Sequence, residues 1–511
     1  MNSNRRELLK TIGAAASALV LSRLGSAQAA HGMIFEGTRH SLQAYRVPDW
    51  FRDAKFGIWA HWGPQSAIEQ GDWYARNMYM QGSEQYRYHV EHYGHPTKVG
   101  YKDLVGDWKA AKWDPDHLMD LYKKAGAKYF VSMGVHCDNF YLWNSKYTRW
   151  NAVKMGPKKD VVGLWQDAAR KHGLRFGVTE HLGASWNWFG VSKLSDKTGP
   201  MAGVPYDGAN PAYDELYHSG NAQAKVESWY RDVPESYQIK WFNRIKDLVD
   251  SYQPDLLYSD GSLPFGKYGR ELLAHFYNTN AKRNGKLEAV YNCKKADDGG
   301  QFADGMCVRD MERGVADGIA ENPWQTDTCV GDWHYKRGQR YKTPKKVIDL
   351  LTDIVSKNGN LLLNFPLPNS GQLDFEEMEV LQGITEWMQI NSEGIYATRP
   401  WKIYGEGPST QVKIVTGNFN EDKQNDLTAE DVRFTTKGST LYAFVMGWPQ
   451  KEAVIRALGS GSPQNPGKIH HVKLLGDPGS LKWKQEADGL KVEMPAEKIS
   501  DIGITLKVEL A

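Results

Sequence analysis

Six apolar runs in this 511-residue chain end in side chains that can hydrogen-bond, bind or move a proton: His61, His136, His181, Asp260, Lys294 and Asn364. The sharpest is Leu256-Leu257-Tyr258-Ser259-Asp260-Gly261, an apolar run closed by a carboxylate and a glycine. An Asp before a Gly also makes an ordinary turn, so Asp260 takes its meaning from its surroundings. Glycoside hydrolysis needs two carboxyl groups flanking the scissile bond, one of them with a raised pKa. With Asp260 as one, the other comes from Glu180, Asp310, Glu312, Glu321 or Asp327. Each of these alone also reads as a solvated carboxylate or a helix cap. Glu312, in Asp310-Met311-Glu312-Arg313-Gly314, follows the run that ends at Lys294 and so belongs to the same rim as Asp260.

Other chemistries fit less well. A zinc or dinuclear hydrolase favours close His-x-His ligands, and none occurs; His470-His471 lies far away and reads as a surface pair. None of the four cysteines, Cys137, Cys293, Cys307 and Cys329, forms a C-x-x-C pair. Gly459-Ser460-Gly461-Ser462 is a Gly/Ser turn and not a Gly-x-Ser-x-Gly elbow. The first strand is followed by no G-x-G-x-x-G turn, which disfavours a dinucleotide fold.

The elements that would position these groups alternate between strand and helix. Strand 55–60 leads to His61, strand 129–135 to His136, strand 174–178 to Thr179-Glu180-His181, and strand 287–291 to Asn292-Cys293-Lys294. Helical stripes run through 114–125, where Asp114 can cap and Pro115 suits the first turn, and through 165–172 and 242–252. Residues 319–330 hold one more strand, 344–357 a helix capped by Thr343, 360–364 the closing strand and 375–390 a last helix. Residues 190–221 read as a polar, aperiodic loop over one rim. Six or seven such units predict a (β/α) barrel of the TIM type, whose active site lies at the C-terminal strand ends.

After about residue 393 the helical period disappears. Strand-like stretches at 440–446, 454–458, 470–475 and 504–510, with a hairpin turn at Asp488-Gly489, predict an antiparallel β-sandwich. Support of the barrel is its expected role. The domain expectation is therefore a leader at 1–30, a barrel at 31–395 and a sandwich at 396–511. The leader has a twin-arginine start, Arg5-Arg6, a short apolar stretch over 12–21 and a small-x-small site at Ala27-Gln28-Ala29, the pattern of a removable export signal. Its loss would leave 59 basic and 60 acidic side chains, a balance that argues against a nucleic-acid partner. No other apolar run approaches the length of a membrane span. The 19 Trp and 26 Tyr suit stacking on sugar rings as well as core filling.

Several stretches together resemble the α-L-fucosidases, the retaining glycoside hydrolases of family 29. Trp50-Phe51-Arg52-Asp53-Ala54-Lys55-Phe56-Gly57-Ile58-Trp59-Ala60-His61-Trp62-Gly63 is similar to the family's first-strand signature. Asp72-Trp73-Tyr74 stands where the family usually has Glu-Trp-Tyr, and His136-Cys137-Asp138-Asn139-Phe140 where it has His-His-Asp-x-Phe. Pro323-Trp324-Gln325-Thr326 is similar to its Pro-Trp-Glu-Thr; residues 357–364 and 394–401 resemble its last-strand and domain-junction signatures.

The resemblance implies a nucleophilic aspartate at Asp260, an acid/base at Glu312, and sugar contacts at His61, Asp72, Trp73 and His136. Cys137, His181, Lys294 and Trp324 complete the expected sugar-binding set. Three positions depart from the pattern: Cys137 for a second histidine, Asp72 for a glutamate and Lys294 for an arginine. The implied reaction is double displacement on a fucosylated oligosaccharide or polysaccharide, with no metal or organic cofactor. Two alternatives remain open at this stage: an exported binding protein on a decayed barrel, and an exo-glycosidase for another sugar such as galactose.

Overall fold

The computed structural model describes residues 34–298, 300–423 and 426–511, so the leader expected at 1–30 lies outside the described residues. Eight parallel strands close into one barrel: β1 (Phe56–Ala60), β2 (Tyr129–Val135), β3 (Arg175–Glu180), β4 (Leu256–Ser259), β5 (Val290–Lys294), β6 (Val308–Asp310), β7 (Trp324–Cys329) and β8 (Gly359–Asn364). Ring closure is the β1–β8 pairing, with Gly57 opposite Leu362 and Trp59 opposite Asn364. Every residue of β1, β2, β4, β5, β7 and β8 is buried, as expected of strands covered on both faces. Gly57 is required by packing, because a Cβ there would lie 2.4 Å from the Tyr129 ring.

Helices cover the barrel where the sequence supplies apolar stripes. Asp114 accepts the Asp116 and His117 amides at the start of helix Pro115–Lys124, and Thr343 caps Pro344–Ser356. Helix Lys267–Asn284, not anticipated above, follows β4. Among the described residues no helix links β5 to β6 or β6 to β7. The connection between β6 and β7 is instead bonded by the second part of the chain, through Asn420 to the Val315 backbone.

That part holds a five-stranded antiparallel sheet, order β13-β16-β11-β10-β9, and a three-stranded one, β12-β15-β14. The strands are β9 (Arg399–Glu406), β10 (Val432–Lys437), β11 (Thr440–Val445), β12 (Glu452–Ile455), β13 (Ile469–Leu474), β14 (Trp483–Gln485), β15 (Leu490–Glu493) and β16 (Ile504–Leu510). Phe434, Leu441, Val445, Ile455, Val492 and Leu506 share one core between the two sheets. The sheets are fastened to the barrel by a buried ionic knot. Asp353, on helix Pro344–Ser356, meets Lys357 Nζ at 2.8 Å and Arg433 Nε at 2.7 Å. Burial alone would raise the Asp353 carboxyl, but the two cations hold it at about 2.

Residues 190–221 are more structured than a plain loop. They contain short 3-10 turns and helix Asp214–Tyr217. Buried tyrosines bind their carboxylates: Tyr86 and Tyr206 each donate to Asp196 at 2.6 Å, and Tyr79 and Tyr217 each donate to Asp207 at 2.7 Å. These pairings have no period, which is why the sequence pattern does not disclose them.

Candidate active site

The C-terminal ends of the strands surround a cavity of about 320 Å³. Asp260 follows β4 directly. Its backbone N–H donates to Glu180 O at 3.0 Å, and the Tyr230 hydroxyl donates to its carbonyl. The chain then turns at Gly261, whose φ of +88° and close neighbours Asp298 and Tyr230 leave no room for a Cβ. Asp298 pins the next residues by accepting the Ser262 and Gly300 amides at 2.7 and 2.9 Å. The carboxylate is thus aimed by backbone bonds on both sides.

Lys294, the last residue of β5, stands between the two candidate acids. Its Nζ lies 2.5 Å from Asp260 Oδ1 and 2.6 Å from Glu312 Oε2. These two legs cap the separation of those carboxylate oxygens at about 5.1 Å. His181 Nδ1 is 3.1 Å from Asp260 Oδ2, and the Tyr258 hydroxyl donates to Asp260 Oδ1 at 3.3 Å. Trp333 Nε1–H donates to Glu312 Oε1 at 3.0 Å.

The same neighbours push the two carboxyls apart. Burial would raise Asp260, but the Lys294 ammonium and His181 hold it well below the usual carboxylate range. For Glu312, burial dominates; Lys294 opposes it, Asp327 and Asp260 reinforce it, and the group is raised to about 7. One carboxylate is therefore ionised and the other protonated in mildly acidic solution. This division suits a nucleophile and a general acid.

Beside the pair lies a nest of imidazoles. His61 contacts the rings of His136, His181 and His334 at centroid distances of 5.1, 5.2 and 4.5 Å. Burial first, and then the neighbouring histidines, keep His61 and His136 well below their ordinary pKa, so both are neutral. Both ring nitrogens of His61 are buried without a partner among the described residues. Gln65 Nε2 contacts His136 Nδ1 at 2.9 Å, and His334 Nδ1 contacts Asp72 Oδ1 at 2.5 Å. His61, Asp72, His136 and His334 bring ligating atoms within 4.8 Å of one another, a set that could hold a zinc-like ion. Its unpaired nitrogens can equally receive sugar hydroxyls.

The cavity is lined by His61, Asp72, Trp73, His136, His181, Asp260, Lys294 and Glu312 from the sequence-derived set. Two of that set stand elsewhere. Cys137 is buried behind the wall, where its thiol donates to the His181 carbonyl at 3.3 Å. Trp324 opens β7, at the opposite end of the barrel from the pocket, and its indole N–H donates to Lys357 O at 2.9 Å. Parallel strands give each barrel end its own chemistry, and a strand's first residue faces the wrong one. Of the other acid candidates, Glu180 is engaged by Trp241 Nε1 and the Leu182 amide, and Asp310 by Gln325. Glu321 faces a different cavity, whereas Asp327 lines the pocket base. Asn364 is a tie: it accepts the His61 amide and donates to the Trp333 carbonyl, at 2.8 and 2.9 Å.

Residues 22–393 match the α-L-fucosidase family and residues 424–509 match the α-L-fucosidase C-terminal domain. The chain belongs to the α-L-fucosidase family. Tissue α-L-fucosidase of Macaca fascicularis is 28% identical over 470 residues, covering 89% of this chain and 86% of the relative. Human tissue α-L-fucosidase shows the same identity and coverage. The crystal structure of Thermotoga maritima α-fucosidase in complex with a mechanism-based inhibitor superposes with a TM-score of 0.71 at 25% identity, covering 93% of this chain and all of that one. This family member adds several pocket residues to those legible in its motifs: Trp229, Tyr230, Asp298, Trp333 and Phe419. Trp333 and His334 follow the end of β7, so the strand-end rule could have found them.

Proposed function

We propose that this chain is an exo-acting α-L-fucosidase that removes terminal α-L-fucosyl residues from glycans with retention of configuration. The observation that carries the reading is the single cation shared by Asp260 and Glu312. Sharing that cation keeps the facing Asp260 and Glu312 oxygens within about 5.1 Å of each other, too close for the roughly 6.5–9.5 Å of an inverting pair and compatible with the closer pair of a retaining one. Asp260, held ionised, attacks the anomeric carbon. Glu312, held protonated, gives its proton to the leaving oxygen. Once Asp260 is esterified its negative charge is gone, while Lys294 stays. One cause of the raised Glu312 pKa is thereby removed, and Glu312 becomes a weaker holder of its proton as its role turns to accepting one from water. His61, His136, His334 and Asp72 receive the sugar hydroxyls, and Trp59 and Trp333 supply apolar wall.

The paired carboxylates favour turnover over a binding-only role. A panel of aryl α-L-fucosides and aryl galactosides tests the sugar; a preference for galactosides would overturn the fucose assignment. Asp260→Ala is expected to abolish turnover, and added azide to restore part of it with inverted product. Near wild-type activity in Asp260→Ala would remove Asp260 from its role. We further propose that residues 1–30 direct twin-arginine export. Among the described residues no helix is long and apolar enough to cross a membrane. Replacing both Arg5 and Arg6 by Lys is expected to leave the protein inside bacterial cells that otherwise export it.

A further inference from the structure

The connection between β9 and β10 leaves the sandwich and reaches the pocket. Asn418 and Phe419 are its contribution to the cavity lining; all the other lining residues belong to the barrel part of the chain. The reach is built with backbone bonds. Phe419 N–H donates to the carbonyl of Glu312 itself at 2.8 Å. Asn420 and Glu421 N–H both donate to Arg313 O, at 3.0 and 2.9 Å. Asn420 accepts the Val315 amide at 2.7 Å and donates to the Val315 carbonyl at 3.0 Å, and Gly417 bridges to Val315.

The anchoring residues and the tip differ in burial. Asn420 and Glu421 are 3% and 1% exposed, whereas Phe419 is 63% exposed. Phe419 also has a φ of +55°, a left-handed backbone that a bulky side chain rarely adopts. A loop held by backbone bonds thus carries a large apolar ring in an unfavourable conformation and leaves most of it uncovered. Asn418 beside it lines the same cavity, and its side-chain oxygen has no partner among the described residues. An aromatic face next to an amide is a surface suited to a pyranose, which has apolar C–H faces and hydroxyl edges.

We propose that residues 417–419 form the leaving-group subsite of this hydrolase, with the Phe419 ring stacked on the sugar released in the first step. The proposal rests on the fucosidase reading above. In this reading Glu312 touches the glycosidic oxygen; Phe419 is bonded to the backbone of Glu312 and lines the same cavity, which puts it within reach of the group on the far side of that oxygen. The subsite would select glycans whose penultimate residue offers a flat apolar face.

The test compares two substrates of wild type, Phe419→Ala and Phe419→Trp: a fucosyl disaccharide, and α-L-fucosyl fluoride, whose leaving group is too small to stack. The ratio of kcat/KM for the disaccharide to that for the fluoride is expected to fall about tenfold in Phe419→Ala and to return in Phe419→Trp. A structural disturbance of Glu312 would not be repaired by a larger aromatic ring. An unmoved ratio in Phe419→Ala, with both substrates cleaved by wild type, overturns the subsite alone. Wild type that cleaves neither substrate overturns the hydrolase reading and the subsite with it.

Discussion

The Lys294 ammonium lies 2.6 Å from Glu312 Oε2 while also bonding Asp260, so one buried cation is common to both carboxyls of the pair. Lys294 is a point charge with three rotatable donors, where the resemblance to the family implies an arginine. Burial would lower the Lys294 pKa, but Asp260, Glu312, Asp327 and Asp310 hold it well above the ordinary value. Lys294→Met is expected to lower kcat/KM for fucosides by about a hundredfold or more, the order seen when one preorganised charge partner is removed. The acid limb of the pH profile should also move to higher pH, because Asp260 loses the cation that favours its ionised form. A variant with an unmoved acid limb would show that Lys294 does not tune Asp260.

The pH dependence of the wild type has a definite sign. As the proposed acid, Glu312 would act in its protonated form, and its carboxyl is raised to about 7. The rate for substrates with poor leaving groups is therefore expected to fall as pH rises through about 7. As the proposed nucleophile, Asp260 would act ionised, and it is held well below the usual range, so the acid limb should appear only in strongly acidic solution. Activated fluorides need little protonation and should keep their rate above pH 7. A profile with an identical alkaline limb for both substrate types would remove Glu312 from the acid role.

The second part of the chain braces the segment that carries Glu312, the proposed acid. Asn420 makes bonds of 2.7 and 3.0 Å to the backbone of Val315, three residues beyond Glu312. Asn420→Ala leaves a buried amide and carbonyl unpaired, a loss on the order of 2 kcal/mol in stability. It should also slow poor-leaving-group substrates more than fluorides, because Glu312 loses its register. Chemical denaturation measures the first effect and paired kinetics the second; equal slowing of both substrate types would mean that the brace does not serve the acid.

Much of this architecture was legible because it is local. β1, β4 and β8 are apolar runs with a polar end, and helix Pro344–Ser356 carries its own cap and stripe. β6 was not legible: it is only Val308-Arg309-Asp310, too short and too charged to read as a strand. Missing it leaves the eighth unit uncounted and makes Glu312 look like part of a long loop, when it sits two residues past a strand end. Trp324 lies at the other end of the barrel, which its motif does not disclose: a motif gives proximity in sequence but not which end of a strand a residue occupies. Phe419 had no sequence signal at all. Its loop meets the barrel across 105 residues, as the Asn420–Val315 bond records, and nothing periodic marks that return.

Two cysteines next to the site offer a last measurement. Cys293 Sγ and Cys307 Sγ are 3.5 Å apart, and Cys293 immediately precedes Lys294. All four cysteines are free thiols in the structure. A small disulfide oxidant such as oxidised glutathione is expected to link this pair, so that titratable thiols fall from four to two and the intact mass drops by two hydrogens. Burial, and then the bond to Cys293, push the Cys307 thiol well above its ordinary pKa. The thiolate is the attacking form, so linkage should be slow at neutral pH and faster as pH rises. A cross-link over this short span would stabilise the fold by about 3 kcal/mol if chain entropy dominates. Cys307→Ser should abolish both the thiol loss and the gain in melting temperature on oxidation. Retention of all four thiols after prolonged exposure at alkaline pH would rule the linkage out.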